Sequence, residues 1–173
     1  MTQSLAITAI GADRPGIVNE LTEALLDAGL NIEDSRMSIL GGEFAMIILV
    51  SGEQAAHDKL NARKQELEHS LKLNLLIRPT SSSRSDRQKH YKIHVEGMDN
   101  PGIVHKLARY LSQQQINIVN MQTDWQHAAH TGTPMFAVSM QVDIPADKNI
   151  TQIEDEFSKL CDEMNMDVCF SKQ

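Results

Sequence analysis

The chain is written twice. Residues 11–32 read GADRPGIVNELTEALLDAGLNI and residues 97–118 read GMDNPGIVHKLARYLSQQQINI. The two segments align without a gap at an offset of 86 residues. Identity falls at Gly11/Gly97, Asp13/Asp99, Pro15/Pro101, Gly16/Gly102, Ile17/Ile103, Val18/Val104, Leu21/Leu107, Leu25/Leu111, Asn31/Asn117 and Ile32/Ile118. A repeat of this length means two copies of one folding unit rather than one large fold. Each copy must therefore close a core within roughly 80 residues, near the lower end of domain size.

The boundary between copies is visible in composition. Residues 79–89 read PTSSSRSDRQK, almost without apolar side chains, which is the composition of a flexible connector. The expected division is a first module at 1–78, a Ser-rich linker at 79–89 and a second module at 90–173. The first module carries net charge −4, the linker +2 and the second module −5. The positive charge thus sits in a solvated tether, since a nucleic-acid patch needs a denser basic cluster. With a total of −7 and a pI near 5.4, the chain does not suit direct neutralisation of nucleic-acid phosphates. No stretch approaches 18 consecutive apolar residues, so no membrane span is expected. The N-terminus lacks the charged start and apolar run of a secretory signal. Cys161 and Cys169 form no CxxC motif and fit a reduced cytoplasmic compartment.

Both modules show one order of elements. Tyr91, Ile93 and Val95 alternate with Lys92, His94 and Glu96, and Leu5, Ile7 and Ala9 take the matching places, predicting half-buried strands. Ile17, Val18, Leu21, Leu25 and Ala28 share one helical face, as do Ile103, Val104, Leu107 and Leu111. Gly29 stands where the first helix should close. Second strands open at Asn31-Ile32 and Asn117-Ile118, and Gly41-Gly42 predicts a tight hairpin. Third strands follow, with Phe44, Met46, Ile48 and Val50 in one copy and Phe136, Val138, Met140 and Val142 in the other. The second copy has a longer polar loop, His127 to Pro134, in place of the glycine turn. Second helices carry Leu60, Lys64, Leu67 and Leu71, or Ile153, Phe157, Leu160, Cys161 and Met164. Last strands carry Leu73, Leu75 and Ile77, or Met166, Val168 and Phe170. The order β-α-β-β-α-β, twice, predicts an α+β chain of two ferredoxin-like modules. In each, two helices cover one face of a four-stranded antiparallel sheet. On the other face Ala45, Ile47 and Leu49 are apolar, whereas Ala137, Ser139 and Gln141 are mostly polar. A second apolar face wants a cover, so the first module should pack its open face or edge against another domain or subunit, a homodimer being one form of this.

The strand-to-helix loop carries the candidate chemistry. First-turn amides of a helix lack internal partners and carry the positive end of its dipole, so they attract carboxylates. Gly16 and Gly102 let a ligand approach the backbone without a Cβ in the way. Pro15 and Pro101 sit near the first helical position, where a missing N–H costs nothing. The amides of Gly16, Ile17, Gly102 and Ile103 can take the carboxylate of a free amino acid, while Asp13, Asp99, Asn31 and Asn117 can hold its ammonium group. The same residues have a purely structural use: Asp13, Asp99 or Asn100 can cap the helix, and Asn31 and Asn117 can tie down the helix-to-strand turn. Arg14 against Asn100 makes the copies unequal, so that one site can be live and the other vestigial.

The run Gly-x-Asp-x-Pro-Gly-Ile-Val, the amphipathic helix and the Asn-Ile strand opening resemble the ACT domain in both halves, essentially the whole chain apart from the linker. Two such copies with no attached catalytic domain are similar to the glycine cleavage system transcriptional repressor family of bacteria. The phrase Gly132-Thr133-Pro134-Met135-Phe136 before a strand adds to the likeness. The resemblance implies a non-enzymatic regulator that contacts a transcription activator and is tuned by a small amino acid, commonly glycine. It also implies that the positions of Asp13/Asp99 and Asn31/Asn117 line the effector site between modules. The family often has Asn where this chain has Asp.

Other signals lead to blander readings. Gly41-Gly42-Glu43-Phe44 is one acidic residue short of a diguanylate cyclase signature, lacks nearby metal-binding carboxylates, and reads as a hairpin turn. His127-x-x-His130 lies in a loop without a third ligand type at useful spacing, so no metal site is expected. His90, His94 and His105 read as surface residues, Cys161 as core, Cys169 as unreactive and Trp125 as lining the longer hairpin. Neither a P-loop nor a dinucleotide fingerprint occurs, and no cofactor is expected. Two regulatory readings compete: a regulator of transcription, or a detached regulatory subunit of an amino-acid metabolic enzyme. An enzyme on this scaffold would need a polar cluster in a pocket, and the sequence offers none.

Overall fold

The computed structural model describes residues 3–81 and 88–172. The chain divides into two compact units, residues 1–84 and 85–173. The first holds β1 (Gln3–Ala12), α1 (Ile17–Ala28), β2 (Asn31–Leu40), β3 (Glu43–Gly52), α2 (Gln54–Leu71) and β4 (Asn74–Thr80). The second holds β5 (Gln88–Met98), α3 (Ile103–Gln113), β6 (Asn117–His127), β7 (Pro134–Pro145), α4 (Ile150–Glu163) and β8 (Met166–Lys172). Each unit is a four-stranded antiparallel sheet, ordered β2-β3-β1-β4 in one and β6-β7-β5-β8 in the other. The predicted ferredoxin-like plan is present in both.

Alternation explains which face is covered. Leu5, Ile7 and Ala9 of β1 and Phe44, Met46, Ile48 and Val50 of β3 point to the helices and are buried. Ile17, Leu21, Leu25 and Ala28 of α1 meet them, as do Leu60, Leu67 and Leu71 of α2. In the second unit Tyr91, Ile93 and Val95 lie under Ile103, Leu107 and Leu111 of α3 and Ile153, Phe157 and Cys161 of α4. Burial holds the Cys161 thiol up at about 12, so it packs as a small apolar group. His57 of α2 is also buried, at 2% exposure, although the expected stripe of that helix did not include it. His90, His94 and His105 lie on the surface, as their positions suggested.

The strands run further than the composition indicated. β4 continues through Pro79 and Thr80, and β5 begins at Gln88. Pro79 pairs with Leu5 at the sheet edge, where a residue lacking an N–H is tolerated. The core of the Ser-rich connector, residues 82–87, lies outside the described residues. None of the described helices is long and apolar enough to cross a membrane.

The open faces differ between units as the alternation predicted. In the first, Ile10, Ile47 and Leu76 are 45%, 52% and 57% exposed. The second presents Lys92, His94, Gln122, Ser139 and Cys169 in the corresponding region.

Candidate functional site

Each strand-to-helix loop is built by the same backbone device. Gly16 and Gly102 precede α1 and α3 with φ of 87° and 85°, a left-handed conformation that a side chain strains. Their carbonyls accept the first helical bonds, from Glu20 and Lys106, both at 3.0 Å. No side chain caps either helix start. The capping use of Asp13, Asp99 and Asn100 is therefore not the one realised. The Asp13 N–H instead donates to the Gly42 carbonyl, and the Asp99 N–H to the Pro134 carbonyl, both at 3.0 Å, tying each loop to the neighbouring hairpin. Asn100 donates to the Met98 carbonyl at 3.3 Å. The Asp99 carboxylate accepts from the Trp125 indole N–H at 3.1 Å.

The two helix starts then diverge. In the first unit the Arg14 guanidinium grips Glu20 through two bonds of 2.7 and 2.6 Å and also reaches the Leu71 carbonyl at 3.5 Å. This contact holds the Glu20 carboxyl below its ordinary range and raises Arg14. Glu20 lies so close to Gly16 that a Cβ there would stand 3.4 Å from Glu20 Oε1. The chain's own carboxylate thus borders the helix start, and the Ile17 N–H points to the Arg14 carbonyl at 3.4 Å. In the second unit Asn100 and Lys106 occupy the places of Arg14 and Glu20. A Cβ at Gly102 would meet nothing within 4 Å. The Ile103 N–H has no hydrogen-bond partner among the described residues. A recess of about 320 Å³ opens there, walled by Asn100, Pro101, Ile103, Lys106, Glu163 and Met164 among others. Lys106 and Glu163 bring both signs of charge to it. That volume is at the small end of ligand clefts.

Not every expected residue joins this site. Asn31 pairs with Ser51, which pairs with Ser4, while the loop leaves β1 beyond Ala12. At about 3.4 Å per residue, Asn31 and Asp13 stand roughly 30 Å apart along the sheet of one unit. Asn117, opposite Asp143, is likewise at the far end of its own sheet from Asp99. One amino acid cannot touch both groups within a module, because the helix between them carries the chain back across the sheet. Conversely, sequence reasoning missed Lys106 and Glu163. The charge reversal from Glu20 to Lys106 was readable in the repeat alignment. Glu163 had no such signal: it stands far along the chain from the loop of Gly102, at the end of α4, and only packing brings it to the recess.

The remaining signals resolve structurally. Gly41 and Gly42 form the β2–β3 turn with φ of 60° and 84°, and Phe44 is fully buried beneath the helices. His127 packs edge-on against Trp125 with ring centroids 4.6 Å apart. Among the described residues no three His, Cys, Asp or Glu side chains gather as a metal site. On the open face of the second sheet, His94 bridges Ser139 at 2.9 Å and Glu96 at 3.3 Å. These groups are exposed on the sheet, where His94 and Ser139 line a cleft of about 310 Å³.

Comparison with known proteins places the chain. A family model of the ACT domain matches residues 3–77 and again 92–171. The glycine cleavage system transcriptional repressor of Escherichia coli K12 is 32% identical over 162 residues, covering 93% of this chain and 85% of the relative. A solved protein of unknown role from Galdieria sulphuraria superposes with a TM-score of 0.83 at 30% identity, covering 100% of this chain and 99% of the other. A solved protein assigned as a glycine cleavage system transcriptional repressor superposes at 0.75 and 27% identity, covering 100% and 98%. With both repeats matched and the full-length relative sharing nearly its whole extent, this chain is a tandem ACT-domain protein belonging to the glycine cleavage system transcriptional repressor family.

Proposed function

We propose that the chain is a non-enzymatic, amino-acid-responsive regulator that acts in the cytoplasm and lowers expression of the glycine cleavage system by contacting a transcription activator. The effector is a small amino acid, glycine first. The observation that carries this reading is the inequality of the two helix starts. In the second module Ile103, whose N–H has no partner among the described residues, Lys106 and Glu163 line one recess. A zwitterion offers a carboxylate to the first two and an ammonium group to the third. In the first module the ion pair of Arg14 and Glu20 already supplies both charges from the chain itself. The second loop is therefore the working site and the first its self-filled copy. Asp99, held by Trp125, flanks the working loop; Asn31 and Asn117 are left out of it.

Binding changes the partner surface only if two states of the protein bind the amino acid unequally. Calorimetry of the full chain against glycine and other small amino acids tests the site. Heat of binding is expected for the wild type. The double variant Asn100→Arg/Lys106→Glu, which installs the first module's ion pair, should weaken it by about tenfold or more. No heat and no melting shift at millimolar glycine overturns the effector reading. Affinity capture of the tagged chain from its own cell extract, with and without glycine, tests the partner. A captured transcription activator supports the reading; a captured amino-acid metabolic enzyme supports the alternative of a detached regulatory subunit.

A further inference from the structure

We propose that Trp125 is a positioning residue for the second module's loop: its indole holds the Asp99 carboxylate away from the start of α3 and so keeps that helix start open to a carboxylate from outside. The inference rests on the amino-acid reading above for what enters the recess. What Trp125 does to Asp99 stands apart from any ligand.

Three features of this helix start attract a carboxylate: the Ile103 N–H, without a partner among the described residues, the positive end of the α3 dipole, and Lys106. The chain's own Asp99 is the carboxylate nearest to Ile103 in sequence, and aspartate is among the residues that most readily cap a helix. Yet no side chain caps α3, and Asp99 is not among the residues that wall the recess. Its carboxylate accepts from the Trp125 indole N–H at 3.1 Å, and its own N–H donates to the Pro134 carbonyl at 3.0 Å. Both bonds turn Asp99 toward the β6–β7 hairpin. The reach is long, because β6 is the edge strand and β7 separates it from β5, whose end leads into the loop. Two strand spacings are about 10 Å, which an indole and an aspartate bridge together through one hydrogen bond. His127, edge-on to Trp125 with ring centroids 4.6 Å apart, braces the indole.

The first copy lacks this device. Ile39 stands opposite Phe44 where Trp125 stands opposite Phe136, so no indole is there to hold Asp13. None is needed. Glu20, gripped by Arg14, already borders that helix start with a negative charge, and like charge keeps a second carboxylate off. In the second copy Lys106 takes the place of Glu20, and a cation draws Asp99 in rather than repelling it. The indole thus stands in the copy whose charges require it. With the indole gone, Asp99 should turn onto the Ile103 N–H and fill the site from within, as Glu20 fills the first.

The first test needs no ligand. Amide exchange at Ile103, followed by NMR in the full chain, should slow about tenfold in Trp125→Phe, the factor expected when about nine chains in ten cap themselves. The double variant Trp125→Phe/Asp99→Ala should exchange as fast as Asp99→Ala alone. A loop merely loosened by loss of the indole would exchange faster, the opposite sign. Calorimetry with glycine reads the same competition from the other side. Trp125→Phe should weaken binding about tenfold in the wild-type background, and less than about twofold where Asp99 is already alanine. Circular dichroism checks that each variant is folded. Exchange at Ile103 that is unchanged or faster in Trp125→Phe, or an equal loss of affinity in both backgrounds, overturns the proposal. Absence of glycine heat from the wild type overturns the amino-acid reading instead, and the exchange comparison then decides the role of Trp125 by itself.

Discussion

Arg14 and Glu20 show how two residues can make one copy of a repeat differ from the other. Their charge-assisted, two-bond contact joins a loop residue to the first turn of α1. The Glu20 carboxyl is held below the ordinary 4.5 by that contact. A carboxyl lowered in the folded state adds stability above its unfolded value and loses it as pH falls through the folded one. Acid titration of melting temperature should therefore show Glu20→Gln with a shallower decline than wild type below the ordinary carboxylate range, and equal slopes near neutrality. A second residue carries an opposite lesson. His57 is 2% exposed, and its Nε2 has no hydrogen-bond partner among the described residues. A buried polar atom left without a partner costs about 1–3 kcal/mol. His57→Leu should raise stability by about 1 kcal/mol in urea unfolding, with an unchanged slope. A lowered midpoint would mean that the imidazole packs better than an apolar side chain of similar size.

At the scale of elements, the helix-to-strand turn repeats with a flaw. Gly29 closes α1 at φ 89°, and Leu30 N–H bonds back to the Leu25 carbonyl at 3.0 Å. The second copy keeps this bond, from Ile116 N–H to the Leu111 carbonyl at 2.9 Å, but places Gln115 at φ 57° where the glycine stood. A side chain in the left-handed region costs about 1–2 kcal/mol, partly offset because glycine loses more freedom on folding. Gln115→Gly should therefore stabilise the second unit by about 0.5–1 kcal/mol, read as a higher thermal midpoint. Another close approach recurs in both copies. A Cβ at Gly11 would stand 2.6 Å from the Lys72 carbonyl, and one at Gly97 2.9 Å from the Asn165 carbonyl. The end of the second helix presses on the first strand at the same place in each sheet, and only glycine leaves room for it.

For the molecule as a whole, duplication produces two cores rather than one. Each unit buries its own set of apolar side chains, and we expect each to unfold as its own cooperative step. Ile93 is 1% exposed in the core of the second unit. Ile93→Ala should cost about 2–5 kcal/mol there. In calorimetric unfolding of the full chain this should split off a lower transition while leaving the other at its wild-type temperature. A single transition displaced as a whole would show that the two units unfold together.

Local information was enough to read most of the fold. The α1 stripe from Ile17 to Ala28, the Gly41-Gly42 turn and the alternation of Tyr91, Ile93 and Val95 depend on neighbours a few residues away, so periodicity and backbone preference suffice. Repetition at a constant offset then supplied the architecture, because a segment written twice folds the same way twice. Only tertiary structure decided which side chains share a recess. Asn31 and Asp13 were expected around one site between modules; within a module a helix returns the chain to the opposite end of the sheet before Asn31 is reached, so no single sheet brings them together. Lys106 and Glu163 meet at one recess because packing of α3 and α4 on a common sheet sets their distance, which no local pattern encodes. Chain order dictates the elements; the directions in which those elements cross the sheet dictate which side chains share a site.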